Sequence, residues 1–508
     1  MAEQLRFAVA GNVFVRDTPD RKGKRIQQLL WGDEVRLLDA PPTGDWLQVI
    51  GRREKGWLHK DEVSEERLLE INFVDVGQGD GAFLVTPDNQ LALVDAGASS
   101  NMRRFLSWRF NLRLDRPLLA AGTDPGPVNF EFALISHGDK DHFGGFKYLF
   151  ESQHLQFKRV YHNTLVERKA ATDADELGAR GKVGGVNCYL DLIQSGDQLA
   201  ALLAQHPDSS KTYLNLLGAA AQRFGPDSVL GITSEQRYLD GFDEQHRTLD
   251  GKPLSIEVLG PIPLADGGQR GLPKLGSDTG ISKNGHSVVL LLRYGSLRFL
   301  LGGDLNVPAE LHLLRQKTGR EAPAAGADAA QWDAYLQQAR EHFGADIAKS
   351  CHHGSADFST TFLRAIDATA TVISSGDEEP YCHPRPETLG AIGRYGRGER
   401  PCIFSTELMR SSPEFQSFNL HSGERVKALI AELASASDPR KQQIAKEIDS
   451  LLSAKERIVA TYGMITLRSD GERVLMAQKL ERPGGAGVEF DMHWFSRKDG
   501  VLTLDDQG

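Results

Sequence analysis

The sequence predicts an α+β protein: residues 1–65 form a small all-β unit, and residues 66–508 fold as one larger unit. Three observations carry this expectation. Short β-like runs separated by turn residues recur through residues 5–63. Apolar strand-like runs then alternate with helix-like segments. One such run, Phe132 to Ile135, breaks off into Ser136-His137-Gly138-Asp139-Lys140-Asp141-His142. At 508 residues the chain exceeds one ordinary core, so two or three units are expected. Hydrophobic content of 40% and charged content of 25% describe a soluble globular protein. The net charge of -10 argues against a broad basic face coating a nucleic acid, although bound cations or a local basic patch supply positive potential elsewhere. No basic segment followed by an apolar core opens the chain, and no run of about 18 apolar residues occurs, so neither a signal peptide nor a membrane span is expected. Cys188, Cys351, Cys382 and Cys402 lie far apart without a C-x-x-C pair, as free thiols of a reducing, cytoplasmic compartment do.

In chain order, Phe7 to Val9, Asn12 to Arg16, Gly32 to Leu38, Trp46 to Ile50 and Gly56 to Leu58 have strand character, with turns at Thr18-Pro19-Asp20 and Pro41 to Gly44. The Asn12 to Arg16 opening, Gly32-Asp33-Glu34-Val35, and Trp46 with Gly56-Trp57 resemble a bacterial SH3-like domain. That resemblance implies a docking role toward a protein or peptide partner, or a polymer. Acidic Asp61 to Glu66 follows as a linker. Leu68 to Asp75, Ala82 to Thr86 and Leu91 to Asp95 then predict a strand hairpin, whose glycines Gly77, Gly79 and Gly81 allow close backbone approach. Asn101 to Phe110 mixes arginines and aromatics, which suits a packed amphipathic helix or a lip for a phosphodiester chain.

The stretch from His137 to His142 places two histidines and two carboxylates in six residues at a strand end. Imidazole nitrogens and carboxylate oxygens together suit zinc, manganese or iron. Further on, Val288 to Arg293 and Leu297 to Leu301 form a hairpin of buried strands ending in Gly302-Gly303-Asp304. Ala345 to Ser350 runs into Cys351-His352-His353-Gly354-Ser355, and Thr371 to Gly376 leads to Tyr381-Cys382-His383-Pro384. A redox or ligand role is conceivable for Cys351 and Cys382, which sit inside these motifs.

The H-x-D-x-D-H-x-G-G pattern, with Phe73 to Asp80, Phe299 to Asp304 and Lys349 to Ser355 in the same order, resembles the metallo-β-lactamase superfamily. Within it, the pattern is similar to the branch containing the hydrolase domain of the competence protein ComEC. The resemblance covers about residues 68–410 and a closing strand near 461–475. It implies an αββα sandwich behind the SH3-like barrel. It also implies two divalent ions, zinc or manganese, held by His137, Asp139, Asp141, His142, Asp304 and one of His352 and His353. The other of that pair acts on the leaving group, and the sequence does not separate the two; His353 is a candidate for either role. Asp304 would bridge the metals, and Asp80 and Asp95 would orient ligand histidines from behind. Asp139 stands where the superfamily has a second histidine, which makes the site oxygen-rich and manganese a rival to zinc.

The implied activity is that of a nuclease or phosphodiesterase acting through a metal-bridging water, with nucleic acid as substrate and Asp141, His353, His383 and Lys349 taking part. Two alternatives remain at this stage. One is hydrolysis of a lactone, β-lactam or cyclic nucleotide; the other is a scaffold working through the SH3-like domain. Residues 151–285 are expected as a long insert beside the site, with His162 in reach of the metals. Residues 422–458 predict a helical pair broken at Asp438-Pro439, followed by a last strand from Thr461 and an edge strand within Phe490 to Leu504.

Overall fold

The computed structural model describes residues 4–39, 41–51, 54–110, 112, 126–168, 176–207, 210–245, 247–249, 251–376, 381–406, 425–433, 435–448, 463–480 and 487–505. Parts of the expected segments at 99–130 and 422–458 lie outside them.

Seven short antiparallel strands between Leu5 and Ser64 pair into one N-terminal sheet around Val13, Val15, Leu29, Val35, Val49 and Leu58. The remainder is built on two larger sheets. The first, of ten strands, is centred on Leu69–Phe73, Ala82–Val85, Leu91–Val94 and Phe132–Ile135, with Ile465–Ser469 paired to Leu69–Phe73. The second, of seven strands, contains Lys252–Gly260, Val289–Tyr294, Leu297–Leu301, Ile347–Lys349, Ala370–Ile373 and Cys402–Ser405.

Side chains alternate across each strand, and this sorts the apolar residues into layers. Leu69, Ile71 and Phe73 of the first sheet meet Leu290, Leu292 and Phe299 of the second in a shared core, where the Phe73 and Phe299 rings lie 5.6 Å apart. Phe83, Val85, Ala133 and Ile135 point the other way, under the helices Asn101–Phe110, Phe146–Phe150 and Thr212–Phe224. Val289, Leu291, Leu300 and Ala348 do the same under Val307–Thr318, Ala329–Phe343 and Thr360–Ile366. The layers are therefore helix, sheet, sheet, helix.

Residues 151–285 differ from a free-standing insert. Val160–His162 and Val229–Gly231 extend the first sheet in parallel, and Lys252–Gly260 enters the second. Arg180–Val183, Val186–Tyr189, Leu264–Asp266 and Gln269–Pro273 form a separate small sheet, and Leu155–Phe157 pairs with Val128–Phe130 in another. Among the helical-pair residues, Arg440 bonds Glu432 across the hairpin and Glu447 along its own helix, with Leu429 and Ile444 buried. No helix among the described residues is long and apolar enough to cross a membrane.

The parallel strands of both sheets end on the same side. The loops after Val94, Ile135, Leu301, Lys349 and Ile373 consequently gather at one carboxyl-terminal edge, the usual position of binding loops in such sheets.

Candidate metal centre

His137 and His142 leave the strand Phe132–Ile135 and the one-turn helix Lys140–Phe143, and both are fully buried. Asp95 follows the neighbouring strand in a left-handed conformation, φ 58°. Its Oδ1 accepts the Ser136 backbone N–H at 2.7 Å, and its Oδ2 accepts from His142 Nδ1 at 2.8 Å. A carboxylate only accepts, so the His142 proton sits on Nδ1 and the Nε2 lone pair faces inward. His137 is fixed by a different route. The Ser287 hydroxyl donates to Asn284 O at 2.7 Å and already accepts the Asp304 N–H at 3.0 Å. His137 Nδ1 lies 3.2 Å from this hydroxyl and 3.1 Å from that of Ser136. His137 Nε2 is buried and has no hydrogen-bond partner.

His353 repeats the pattern. Its Nδ1 lies 3.1 Å from the Ser374 carbonyl oxygen and 3.1 Å from Asp80 Oδ1, both acceptors. Its Nε2 lies 3.2 Å from His142 Nε2, 3.2 Å from Asp304 Oδ2 and 3.6 Å from Asp141 Oδ2. His142 Nε2 is also 3.2 Å from Asp304 Oδ2. Two imidazole lone pairs and a carboxylate oxygen at these separations repel one another unless a cation lies among them. Donors on one tetrahedral ion, each about 2.0 Å from it, sit roughly 3.3 Å apart. The donor set fits a divalent metal, and Asp304 Oδ1, buried without a hydrogen bond, is a further donor.

Asp80, His142, Asp304 and His353 all bring a ligand-type atom within 4.8 Å of one another. Of these, Asp80 is engaged elsewhere: one oxygen takes the Lys349 ammonium and the other faces His353 Nδ1. It orients rather than ligates, and Asp141 is the freer carboxylate. Burial favours the protonated form of Asp80, but Lys349 and His353 outweigh it and hold the carboxyl at about 2. Burial likewise opposes ionisation of Asp304, yet His142 and His353 in their protonated forms pull it well below the ordinary carboxylate range.

Asp139 caps the short helix with extended backbone, its Oδ2 3.6 Å from His137 Nε2 and its Oδ1 2.6 Å from the Lys283 ammonium. Against the effect of burial, His137 and Lys283 lower its pKa.

The two adjacent histidines separate clearly. Both have positive φ, but His353 enters the cluster, whereas His352 stays at its margin with Nε2 3.9 Å from Asp304 Oδ2. The His383 ring stacks 6.4 Å from His353 and meets His352 edge-on at 5.7 Å, beside exposed Tyr381.

Two expectations are corrected. Lys349, expected to take part in the reaction, is buried between Asp80 and the Gly303 carbonyl and lies on a carboxylate inside the site. His162 is buried away from the cluster, where Nδ1 accepts the Thr164 N–H; burial drives its pKa down to about 3. Cys351 and Cys382 carry free thiols, and neither joins the cluster. Ser136, Ser287, Ser374 and Lys283 were not singled out from the sequence. Serines beside strand ends are too common to stand out, and Lys283 lies in the segment that matched no motif.

No protein-family model matches the chain, and no curated protein matches it. Among solved structures, a metal-dependent hydrolase of the beta-lactamase superfamily aligns over 66% of this chain and 95% of its own, at 13% identity and a TM-score of 0.26. Another, from Parabacteroides distasonis and provisionally named a metal-dependent hydrolase, aligns over 66% and 92% at 12% identity and 0.28. Similarity this low carries no argument about activity.

Proposed function

We propose that the chain is a divalent-metal-dependent hydrolase of phosphodiester bonds, with nucleic acid as its substrate class. The observation that carries this is the inward convergence of His142 and His353 Nε2 on Asp304, beside His137 and Asp141, with each imidazole fixed through its Nδ1. When bound, zinc or manganese would lower the pKa of a coordinated water toward neutrality and polarise the bond under attack.

The chain's own residues do the rest. Asp95 and the Ser374 carbonyl hold the tautomers of His142 and His353, and the Ser136 and Ser287 hydroxyls hold the His137 ring in place. Asp304 turns Oδ2 toward His142 and His353, and its Oδ1, without a hydrogen bond, would be a further donor to a bound cation. Lys349 offsets the charge of Asp80, which keeps that carboxylate facing His353. His383, on the open side of His353, delivers a proton to the leaving oxygen.

The phosphodiester preference rests on the donor set and on the sequence pattern. Asp139, Asp141 and Asp304 make an oxygen-rich site suited to hard cations and phosphate oxygens, and the H-x-D-x-D-H pattern resembles the ComEC-like branch. The N-terminal sheet serves as an SH3-like module that docks a peptide or polymer, and the free thiols suit a cytoplasmic protein.

The test is incubation of purified chain with single- and double-stranded DNA in manganese, zinc or magnesium, beside the Asp141→Ala, His142→Ala double variant. The expected result is metal-dependent cutting that the variant loses. A metal-loaded wild type that cuts neither substrate would overturn the phosphodiesterase reading and redirect assays to cyclic nucleotides, lactones and β-lactams.

A further inference from the structure

A second site lies where the N-terminal sheet meets the sandwich. A cavity of about 240 Å³ is enclosed there by the strand Arg25–Leu29, the helix Asn101–Phe110 and the outward face of the first sheet. Its floor is polar: Glu70 and Asn72 alternate with Leu69, Ile71 and Phe73, and Thr466 and Arg468 alternate with Ile465 and Leu467. The inter-sheet core claims the apolar set, and nothing in that core requires four hydrogen-bonding residues on the opposite face.

The cations around the cavity are all paired, and exposed Glu54 stands at its rim as the one lining carboxylate without an ion pair among the described residues. Arg468 bonds Asp33 at 2.8 Å and Glu70 at 2.7 Å, Arg109 bonds Glu70 at 3.3 Å, and Lys479 bonds Glu489 at 2.8 Å. An anionic ligand would find no spare cation among these groups. Uncharged hydrogen-bonding capacity is what the walls leave over. Gln27 is 8% exposed, and neither its Nε2 nor its Oε1 has a hydrogen-bond partner. Arg109 and Arg468 each keep a buried Nε–H in the same condition. Buried polar atoms are seldom left this way, because each gives up water and gains nothing in return. Phe105 and Trp108 supply ring surface on the same wall.

We infer that this cavity binds an uncharged, planar, oxo-substituted heterocycle of the nucleobase type. Ring carbonyls accept from the Gln27 amide and the two Nε–H groups, a ring N–H donates to Gln27 Oε1, and the ring packs on Phe105 and Trp108. The ligand is either a free nucleoside or one base of a bound strand. The site lies on the outer face of the first sheet, whereas the metal centre lies at the strand ends, so the inference stands independently of the proposed reaction.

The test is calorimetric titration of the full chain with uridine, inosine, adenosine and an oligothymidylate. Adenosine, which lacks a ring carbonyl, is the control. Uridine and inosine are expected to bind at least tenfold more tightly than adenosine. Gln27→Met, similar in size and without hydrogen-bonding groups, is expected to weaken them at least tenfold. His142→Ala is expected to leave that binding unchanged, which separates failure here from failure at the metal centre. Binding of the oligothymidylate alone, with the same Gln27 dependence, would support the site with a strand as the source. Should Gln27→Met not fold, quenching of tryptophan fluorescence by uridine that disappears in Trp108→Phe gives the same support. Absence of binding by all four ligands, equal binding of adenosine, or wild-type binding by a folded Gln27→Met would each overturn it.

Discussion

His142 illustrates how a ligand residue depends on the atom behind it. The 2.8 Å bond to Asp95 is what assigns its proton to Nδ1, and Asp95 in turn is held by the Ser136 N–H. Asp95→Ala would leave Nδ1 near only the Ser136 hydroxyl, which can donate as well as accept. Loss of such a partner typically costs 10- to 100-fold in metal affinity. A fall of about that size is expected in chelator-competition titration, with the fold retained. Glu310 makes a different kind of prediction, since it lies buried on the helix Val307–Thr318. Burial raises its carboxyl from the ordinary 4.5 to about 8, against the Ser359 N–H that it accepts and with some help from Asp357. The folded state therefore holds this proton more tightly than the unfolded chain does. The stabilisation is complete below about pH 4.5, erodes as pH rises, and is gone above about pH 8. Glu310→Gln stays neutral throughout. Each tenfold difference in proton affinity between the folded and unfolded chain is worth about 1.4 kcal/mol. Relative to that variant, denaturant unfolding of wild type is expected to lose on the order of a few kcal/mol between about pH 5 and pH 8.

At the scale of elements, the site requires two loops to touch. Asp80 N–H donates to Asp141 O at 3.3 Å, and Gly79 passes the same carbonyl with φ 105°. A Cβ on Gly79 would stand 1.7 Å from Asp141 O. Gly79→Ala therefore forces apart the loop carrying Asp80 and the helix carrying Asp141 and His142. A loss of roughly 2–3 kcal/mol or more is expected, with thermal stability and metal affinity falling together in one series of measurements. The elements also show what a single sequence reveals. Phe132–Ile135 and Leu297–Leu301 were legible because each is an apolar run that ends abruptly in ligand-type residues. Val160–His162 and Val229–Gly231 were not, since three residues are too few to display a period, although both lie in the first sheet. The bond from Ser287 to His137 spans 150 positions, and nothing local to either residue announces it. Lys283 escaped notice for a related reason. Its position on Asp139 depends on a segment whose polar composition resembled a surface loop, yet the fold draws that segment in.

For the whole molecule, the N-terminal sheet is joined to the sandwich by a buried face as well as by the linker. Leu30, Trp31 and Leu68 pack on Leu475, Ala477 and Phe490, with the Trp31 and Trp494 rings 5.2 Å apart and Arg473 over Trp31 at 4.9 Å. Polar contacts reinforce this face: Gln28 Oε1 accepts the Glu489 N–H at 2.6 Å, and Arg468 reaches Asp33 from the sandwich side. Removing the N-terminal sheet would expose apolar side chains on strands that continue the first sheet, so each part covers a surface of the other. Two units coupled this way unfold together as long as the contact outweighs the difference in their own stabilities. Trp31→Ala takes out the largest side chain in the contact, a change that typically costs about 3–5 kcal/mol in a core. Scanning calorimetry is then expected to resolve two transitions in the variant, the N-terminal unit melting first, where wild type shows one. A single transition at the wild-type Tm would mean that Trp31 contributes nothing to the coupling of the two units.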